Sequence, residues 1–305
     1  MDLTPSSRAE PISAARLARR VLDYIELGKP RLMFLVLVTT AVGFYLGAHE
    51  SSDLALLWPT ILGTALAATG SLALNQVLER DTDALMVRTS QRPLPEGRLS
   101  LIEATVYGVA LSVIGVLWLA LTVGSLPAAI TALTIVTYLG LYTPLKRRSP
   151  LCTIVGAIPG ALPPVTGWAA ASGTVGVEAG VLFTMLFLWQ LPHSLAIAQL
   201  YRDEYAAAGL KVLPVVEAGT EVTARQTVMH TVALALVALL PTPLEMTGWL
   251  YLGTAVLTGL GFVAVSVAFA HQPSRDRARA LLFASLIYLP LVLGAMAFDR
   301  RWLLP

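Results

Sequence analysis

Apolar residues along the chain fall into nine long runs, and polar residues are swept into the gaps between them. The runs cover Leu32 to Ala48, Leu56 to Val77, Ala104 to Val123, Pro127 to Tyr142 and Leu151 to Ala171. They continue with Val181 to Leu200, Thr227 to Leu240, Met246 to Ala270 and Ala280 to Phe298. Most are about 20 residues long, the length at which a helix rising ~1.5 Å per residue crosses a hydrocarbon core about 30 Å thick. The fourth and seventh are the shortest. The pattern predicts an all-α integral membrane protein of nine transmembrane helices.

Charge placement tests that count independently. With the N-terminus inside, all of the 21 Lys and Arg except Arg300 and Arg301 fall on the inner side, and no outer loop between spans carries one. Basic residues concentrate on the cytosolic side of membrane proteins, so the N-terminus is placed inside and the C-terminus outside. Composition agrees: 56% of residues are hydrophobic, 13% are charged, and mean hydropathy is +0.71. A soluble domain carries about 25% charged residues because its surface faces water. A soluble enzyme is therefore excluded.

The chain divides into a tail at 1–28, a membrane domain at 29–299 and a short outer tail at 300–305. The tail carries an amphipathic stretch from Arg16 to Leu27, expected to lie on the inner leaflet. No signal peptide is expected, since the first long apolar run begins near Leu32. Acidic residues in the tail (Asp2, Glu10, Asp23) also weigh against a transit peptide. One cysteine, Cys152, leaves no intramolecular disulfide to form.

Chemistry gathers at the inner ends of three spans. Asn75, Glu79 and Asp83 are spaced by four, so on a helix they form one stripe of oxygen ligands. Such a set suits a hard cation such as Mg²⁺, which takes a few carboxylates and completes its shell with water and phosphate oxygens. The plainer alternative, charges solvating a helix end, accounts poorly for Asn75 inside an apolar run. Asp81 points elsewhere and could pair with Arg88. The sixth span ends W-Q-L-P-H, Trp189 to His193, and is followed by Asp203 and Glu204, a second acidic group at the same face. His193 is either a satisfied structural residue or a ligand. The fourth span closes on Tyr138 and Tyr142, Pro144 ends it, and Lys146, Arg147 and Arg148 follow. That basic triplet serves topology alone or, with Arg88 and Arg92, contacts an anionic substrate. The fifth span is rich in Pro and Gly, which fits either a cavity wall or close helix packing.

The stripe from Asn75 to Asp83 resembles the UbiA-type superfamily of intramembrane aromatic prenyltransferases. The longer string E-R-D-T-D-A-L-M-V-R-T-S-Q-R-P-L-P, from Glu79, is similar to the protohaem IX farnesyltransferase branch. So are Lys29-Pro30-Arg31, Y-T-P-L-K-R from Tyr142, G-A-L-P-P-V-T-G-W from Gly160, W-Q-L-P-H, and Y-A-A-A-G-L-K-V-L-P-V-V from Tyr205. Three positions depart from the pattern: Ser194 replaces an aromatic, Asp203-Glu204 replaces Glu-Asp, and Cys152 replaces an asparagine. The resemblance implies a bundle around a central cavity that passes a farnesyl group from farnesyl diphosphate to a vinyl of haem B, making haem O. In that reading Asn75, Glu79, Asp83 and Asp203 or Glu204 hold Mg²⁺, two ions bridging the diphosphate. Arg88, Arg92, Lys146 and Arg147 bind the diphosphate, and His193 with Trp189 faces the haem. It further implies a bacterial inner membrane, a cytosolic active site, and haem A synthase or oxidase-assembly partners. No nucleic-acid partner is expected. A sister enzyme acting on a quinone or chlorophyll precursor would share the stripe, and a transporter would show an inverted repeat, which is not visible by eye.

Overall fold

A computed structural model describes residues 14–48, 51–217 and 219–300. The start of the N-terminal tail, where any transit segment would fall, and the outer tail beyond Arg300 lie outside the described residues.

The chain opens with α1 (Ala14–Leu27), which leaves Leu17, Val21, Leu22 and Ile25 exposed on one side and buries Leu27 on the other. Arg98 grips Asp23 and Glu26 from across the chain, and Arg20 pairs with Glu103, so α1 is tied down by charge at its polar face. Helix α2 (Pro30–Gly47) follows, then a 3-10 turn and α3 (Leu57–Asp83). The second span thus runs six residues past the predicted end at Val77, far enough to carry Asn75, Glu79 and Asp83 on one uninterrupted helix.

Helix α4 (Leu101–Thr122) starts at a reciprocal cap between Ser100 and Glu103. Helix α5 (Ser125–Val136) leads through a π-helical turn (Thr137–Tyr142) into the short α6 (Thr143–Leu145). Pro144 was expected to end this span, and the helix stops one residue beyond it, at Leu145. A proline lacks an N–H and clashes one turn back, and the wider π turn just before it relieves that clash. The Thr143 hydroxyl donates to the Tyr138 carbonyl at 2.9 Å, occupying an acceptor at the turn.

Next come α7 (Cys152–Ser172), α8 (Val177–Leu200), and the short α9 (Arg202–Ala207) and α10 (Leu213–Val216). The chain closes with α11 (Glu221–Val237), α12 (Trp249–His271) and α13 (Arg275–Phe298). Among the described residues, eight helices are long and apolar enough to cross a membrane. The seventh predicted span, Thr227 to Leu240, corresponds to α11, whose 17 residues fall just short.

Helix α7 is the most buried span and packs between α2, α5 and α8, while α11, α12 and α13 enclose the other side of α8. The α2–α7 seam depends on glycine. A Cβ on Gly167 would sit 1.9 Å from the Thr40 carbonyl oxygen, and one on Gly43 would sit 2.0 Å from that of Pro164. Lipid gives helices no hydrophobic reason to associate, so this backbone-to-backbone approach supplies the dispersion contact that does. All three prolines of α7 stand within a continuous helix.

Candidate active site

A cavity of about 960 Å³ runs down the inside of the first half of the bundle, walled by α2, α3, α5, α7 and α8. Its mouth lies where α3 ends, and there the predicted stripe converges. Asn75 is fully buried, Asp83 nearly so, and both line the cavity with Glu79. Each of the three meets a cation. The Lys29 ammonium donates to Asn75 Oδ1 at 2.6 Å, Lys146 to Glu79 Oε1 at 2.6 Å, and Arg92 to Asp83 Oδ2 at 2.5 Å. Asn75 Nδ2 also donates to Thr143 Oγ1 at 3.1 Å, which fixes which end of the amide faces Lys29.

Lys29 is the residue sequence reasoning left off the site. It stands before Pro30 with a left-handed backbone, φ 46°, a conformation that costs a non-glycine residue roughly 1–2 kcal/mol. That turn aims its ammonium into the cavity instead of toward headgroups. Burial, with repulsion from Arg92 added, pushes the Lys29 ammonium down to about 7. The visible signal was a lone lysine preceding a proline at the start of a span.

Lys146 behaves differently. Burial opposes its charge too, but Tyr142 and Glu79 outweigh it and hold the ammonium well above the ordinary lysine value. Its Nζ lies 4.4 Å from the centre of the Tyr142 ring, in the geometry of a cation–π contact. Tyr138 and Tyr142 stack at 5.7 Å and both line the cavity, as their shared face predicted.

The remaining expectations divide. Arg88 and Arg92 both line the mouth, which continues into a smaller polar basin containing Arg19 and Arg98. Arg88 lies over the Tyr201 ring at 5.3 Å, and Asp81, expected to pair with it, instead takes Arg80 at 2.6 Å on the exposed side of α3. Arg147 is exposed and outside the cavity lining. It follows Lys146 in the turn after α6 and faces solvent. Helix α9 brings the second acidic pair to the same end of the bundle, where Tyr205 packs with Met86 and Leu210. Tyr205 lines the cavity, but Asp203 and Glu204 do not. Asp203, two positions before Tyr205, faces outward; Glu204 is half-buried with Oε2 lacking any hydrogen-bond partner. Among the described residues no three His, Cys, Asp or Glu side chains are gathered closely enough to hold a metal by themselves.

Trp189 and His193 also stand away from the cavity. They stack on each other at 4.8 Å and turn toward α13, where Trp189 Nε1 donates to the Ser285 carbonyl and His193 Nδ1 meets Ser285 Oγ, both at 2.8 Å. The cavity face of α8 is instead Gln190, Ser194 and Ile197. His193 and Trp189, the expected haem contacts, therefore lie outside the cavity lining, and Gln190 lines it at this level. Gln190 fits against α7 only because Gly160 has no Cβ, which would lie 1.8 Å from its Oε1.

Two carboxylates and an amide on one wall, three cations opposite them, and a deep, largely apolar shaft behind form a site for an anion carrying a long apolar tail. A model of the UbiA prenyltransferase family matches residues 36–287. The chain belongs to the UbiA prenyltransferase family. Within it, the chain is 48% identical over 287 residues to the protoheme IX farnesyltransferase of Solibacter usitatus, covering 91% of this chain and 98% of that one. The UbiA fold is also seen in a digeranylgeranylglyceryl phosphate synthase structure, with TM-score 0.78 at 15% identity, covering 92% of this chain and 98% of the other. A UbiA homolog from Archaeoglobus fulgidus, bound to DMAPP and Mg²⁺, superposes with TM-score 0.61 at 17% identity over 90% of this chain and 99% of that one.

Proposed function

We propose that this UbiA-family chain transfers the farnesyl group of farnesyl diphosphate to a vinyl carbon of haem B, forming haem O. The observation that carries this is the pairing of Asn75, Glu79 and Asp83 with Lys29, Lys146 and Arg92 at the mouth of one shaft, in a chain so similar to a protoheme IX farnesyltransferase. The donor set fits Mg²⁺. It is all oxygen, and Mg²⁺ needs only one or two carboxylates beside substrate phosphates and water. Glu204, with a buried carboxylate oxygen that no donor satisfies, is the candidate ligand from the second acidic pair, and Asp203 its exposed neighbour. The stripe and the Asp203–Glu204 pair would supply two acidic groups, enough to hold two Mg²⁺ ions. When bound, Mg²⁺ neutralises charge building on the leaving diphosphate.

The protein's own residues do the rest. Each of the three cations already faces a carboxylate or amide oxygen, so exchanging that oxygen for a diphosphate oxygen needs little new ordering of its side chain. Positive charge placed where the C–O bond breaks lowers the barrier without reorganisation at the moment of reaction. Arg88 adds charge at the rim. The stacked Tyr138 and Tyr142 wall off water from the allylic cation, which would otherwise be captured before reaching the acceptor. Gln190 and Ser194 line the shaft from α8 and are available to contact the acceptor.

The same reading orients the protein. With α11 as a ninth, short span, the N-terminus lies inside, the C-terminus outside, and the site opens to the cytosol of a bacterial inner membrane. The apolar side of α1 then rests in the inner leaflet. Haem A synthase or other oxidase-assembly proteins are the natural recipients of the product.

The acceptor decides the assignment. Purified protein given labelled farnesyl diphosphate, Mg²⁺ and either haem B or 4-hydroxybenzoate is expected to label haem alone. Label on 4-hydroxybenzoate and none on haem would reassign the chain to a sister activity.

A further inference from the structure

Helix α8 turns two polar side chains, Gln190 and Ser194, into the cavity. Gln190 Nε2 donates to the Leu186 carbonyl at 3.0 Å and to the Ala157 carbonyl of α7 at 3.4 Å. Both amide hydrogens are thus spent on backbone oxygens, and turning the amide over would set its own oxygen against them. Oε1 is fixed as the free end. No donor among the described residues reaches it. Gln76 Oε1 and Gln199 Oε1 also lack partners but are sealed from any visitor, whereas Gln190 Oε1 opens onto the cavity. Ser194 stands one helical turn on, on the same face, half-buried and with its hydroxyl equally free. Two open acceptors a turn apart in a largely apolar shaft make a seat for one water.

We propose that Gln190 Oε1, assisted by Ser194 Oγ, holds the water that turns the prenylated acceptor into an alcohol. The proposal rests on the haem B reading. Ionisation takes the C–O bonding pair to the diphosphate. The vinyl π pair then bonds its outer carbon to the farnesyl carbon that carried the diphosphate, leaving positive charge on the inner vinyl carbon beside the porphyrin. That cation has two fates. It takes a lone pair from water, or the neighbouring carbon loses a proton and an alkene forms. Haem O is the alcohol. A water whose two hydrogens point at Gln190 Oε1 and Ser194 Oγ keeps its lone pairs turned toward the cavity. The proton it sheds on forming the C–O bond passes to the freed diphosphate, the base that the same reaction produces. One held water is also compatible with a site that keeps bulk water from the allylic cation.

The test gives full-length protein in detergent farnesyl diphosphate, Mg²⁺ and haem B, and separates hydroxylated from dehydrated haem product by mass spectrometry. Wild type is expected to yield the alcohol. Gln190→Leu should raise the alkene-to-alcohol ratio about tenfold, the scale of one lost hydrogen bond, and Ser194→Ala about threefold. Ser194→Thr, which restores a hydroxyl, should bring the ratio back toward wild type. Gly160→Ala keeps every polar atom, but its Cβ would lie 1.8 Å from Gln190 Oε1, so the flexible amide must swing away and the ratio should rise. Ser112→Ala, at the α3–α4 seam against Gly70 and outside the cavity, is the control and should leave the ratio alone. A Gln190→Leu protein that makes less product at the wild-type ratio overturns the proposal, as does an equal shift in Ser112→Ala. Should Gln190→Leu fail to insert, Gly160→Ala and Ser194→Ala decide by the same comparison. Wild type that leaves haem unlabelled overturns the haem reading and this proposal together, a result distinct from an unchanged product ratio.

Discussion

Asp83→Ala is expected to reduce farnesyl transfer by about a thousandfold or more while the protein still inserts and folds. Asp83 is 2% exposed at the mouth of the cavity, and its carboxylate is both the partner of Arg92 and a proposed Mg²⁺ ligand. Removing one preorganised group that stabilises developing charge typically costs about a hundred- to a thousandfold in rate. Here the variant also leaves the half-buried Arg92 without its counter-ion. Asp81→Ala is the matched comparison. It removes a carboxylate two residues away on the same helix, but one paired to Arg80 in solvent, and should cost less than twofold. Pyrophosphate release in detergent, with tryptophan fluorescence as the check on folding, separates the two. Equal loss in both variants would reduce the stripe to a general charge effect.

Gly167→Leu should fail at an earlier stage, in folding. Its Cβ would occupy the position of the Thr40 carbonyl oxygen, and a backbone oxygen cannot move aside as a side-chain end can. Helices α2 and α7 would have to separate along a seam that includes Gly43 and Gly47 as well. Overpacking usually costs about 1–3 kcal/mol, and a clash with rigid backbone belongs at or above the top of that range. We expect aggregation on extraction, or a melting temperature lower by ten degrees or more. Gly253→Leu on α12, where a Cβ meets nothing within 4 Å, should extract like wild type. Size-exclusion profiles of the two variants make the comparison, and a normal profile for Gly167→Leu would show that the seam is looser than its geometry.

Much of this site was legible before any coordinates. Spacing by four put Asn75, Glu79 and Asp83 on one stripe because helical periodicity holds in any environment. Basic loops found the inner ends of the spans because charge is costly in lipid. What could not be read was direction. A helix apolar all round, such as α8, carries no pattern to tell its inward face from its outward one. Hence His193, left open between a structural residue and a ligand, faces Ser285 on α13, while Gln190, one position from Trp189, lines the cavity. Arg147 and Asp203 were misplaced for a related reason. In a short segment such as α9 a shift of one or two residues turns a side chain from the cavity to the solvent, and only the anchoring of Lys146 and Tyr205 fixes the register. Lys29 was read only as part of the Lys29-Pro30-Arg31 motif, because the left-handed backbone that turns it into the site is a property of the fold around Pro30. The π turn just ahead of Pro144 is likewise one that no composition announces.

The most direct measurement is a structure of the full-length protein with Mg²⁺ and a non-ionising farnesyl thiodiphosphate. The expected arrangement has the diphosphate against Asn75, Glu79 and Asp83 through metal, with Lys29, Lys146 and Arg92 swung from those side chains onto phosphate oxygens and the tail running down the shaft. A diphosphate bound elsewhere, with the Lys146–Glu79 and Arg92–Asp83 pairs still closed, would contradict it.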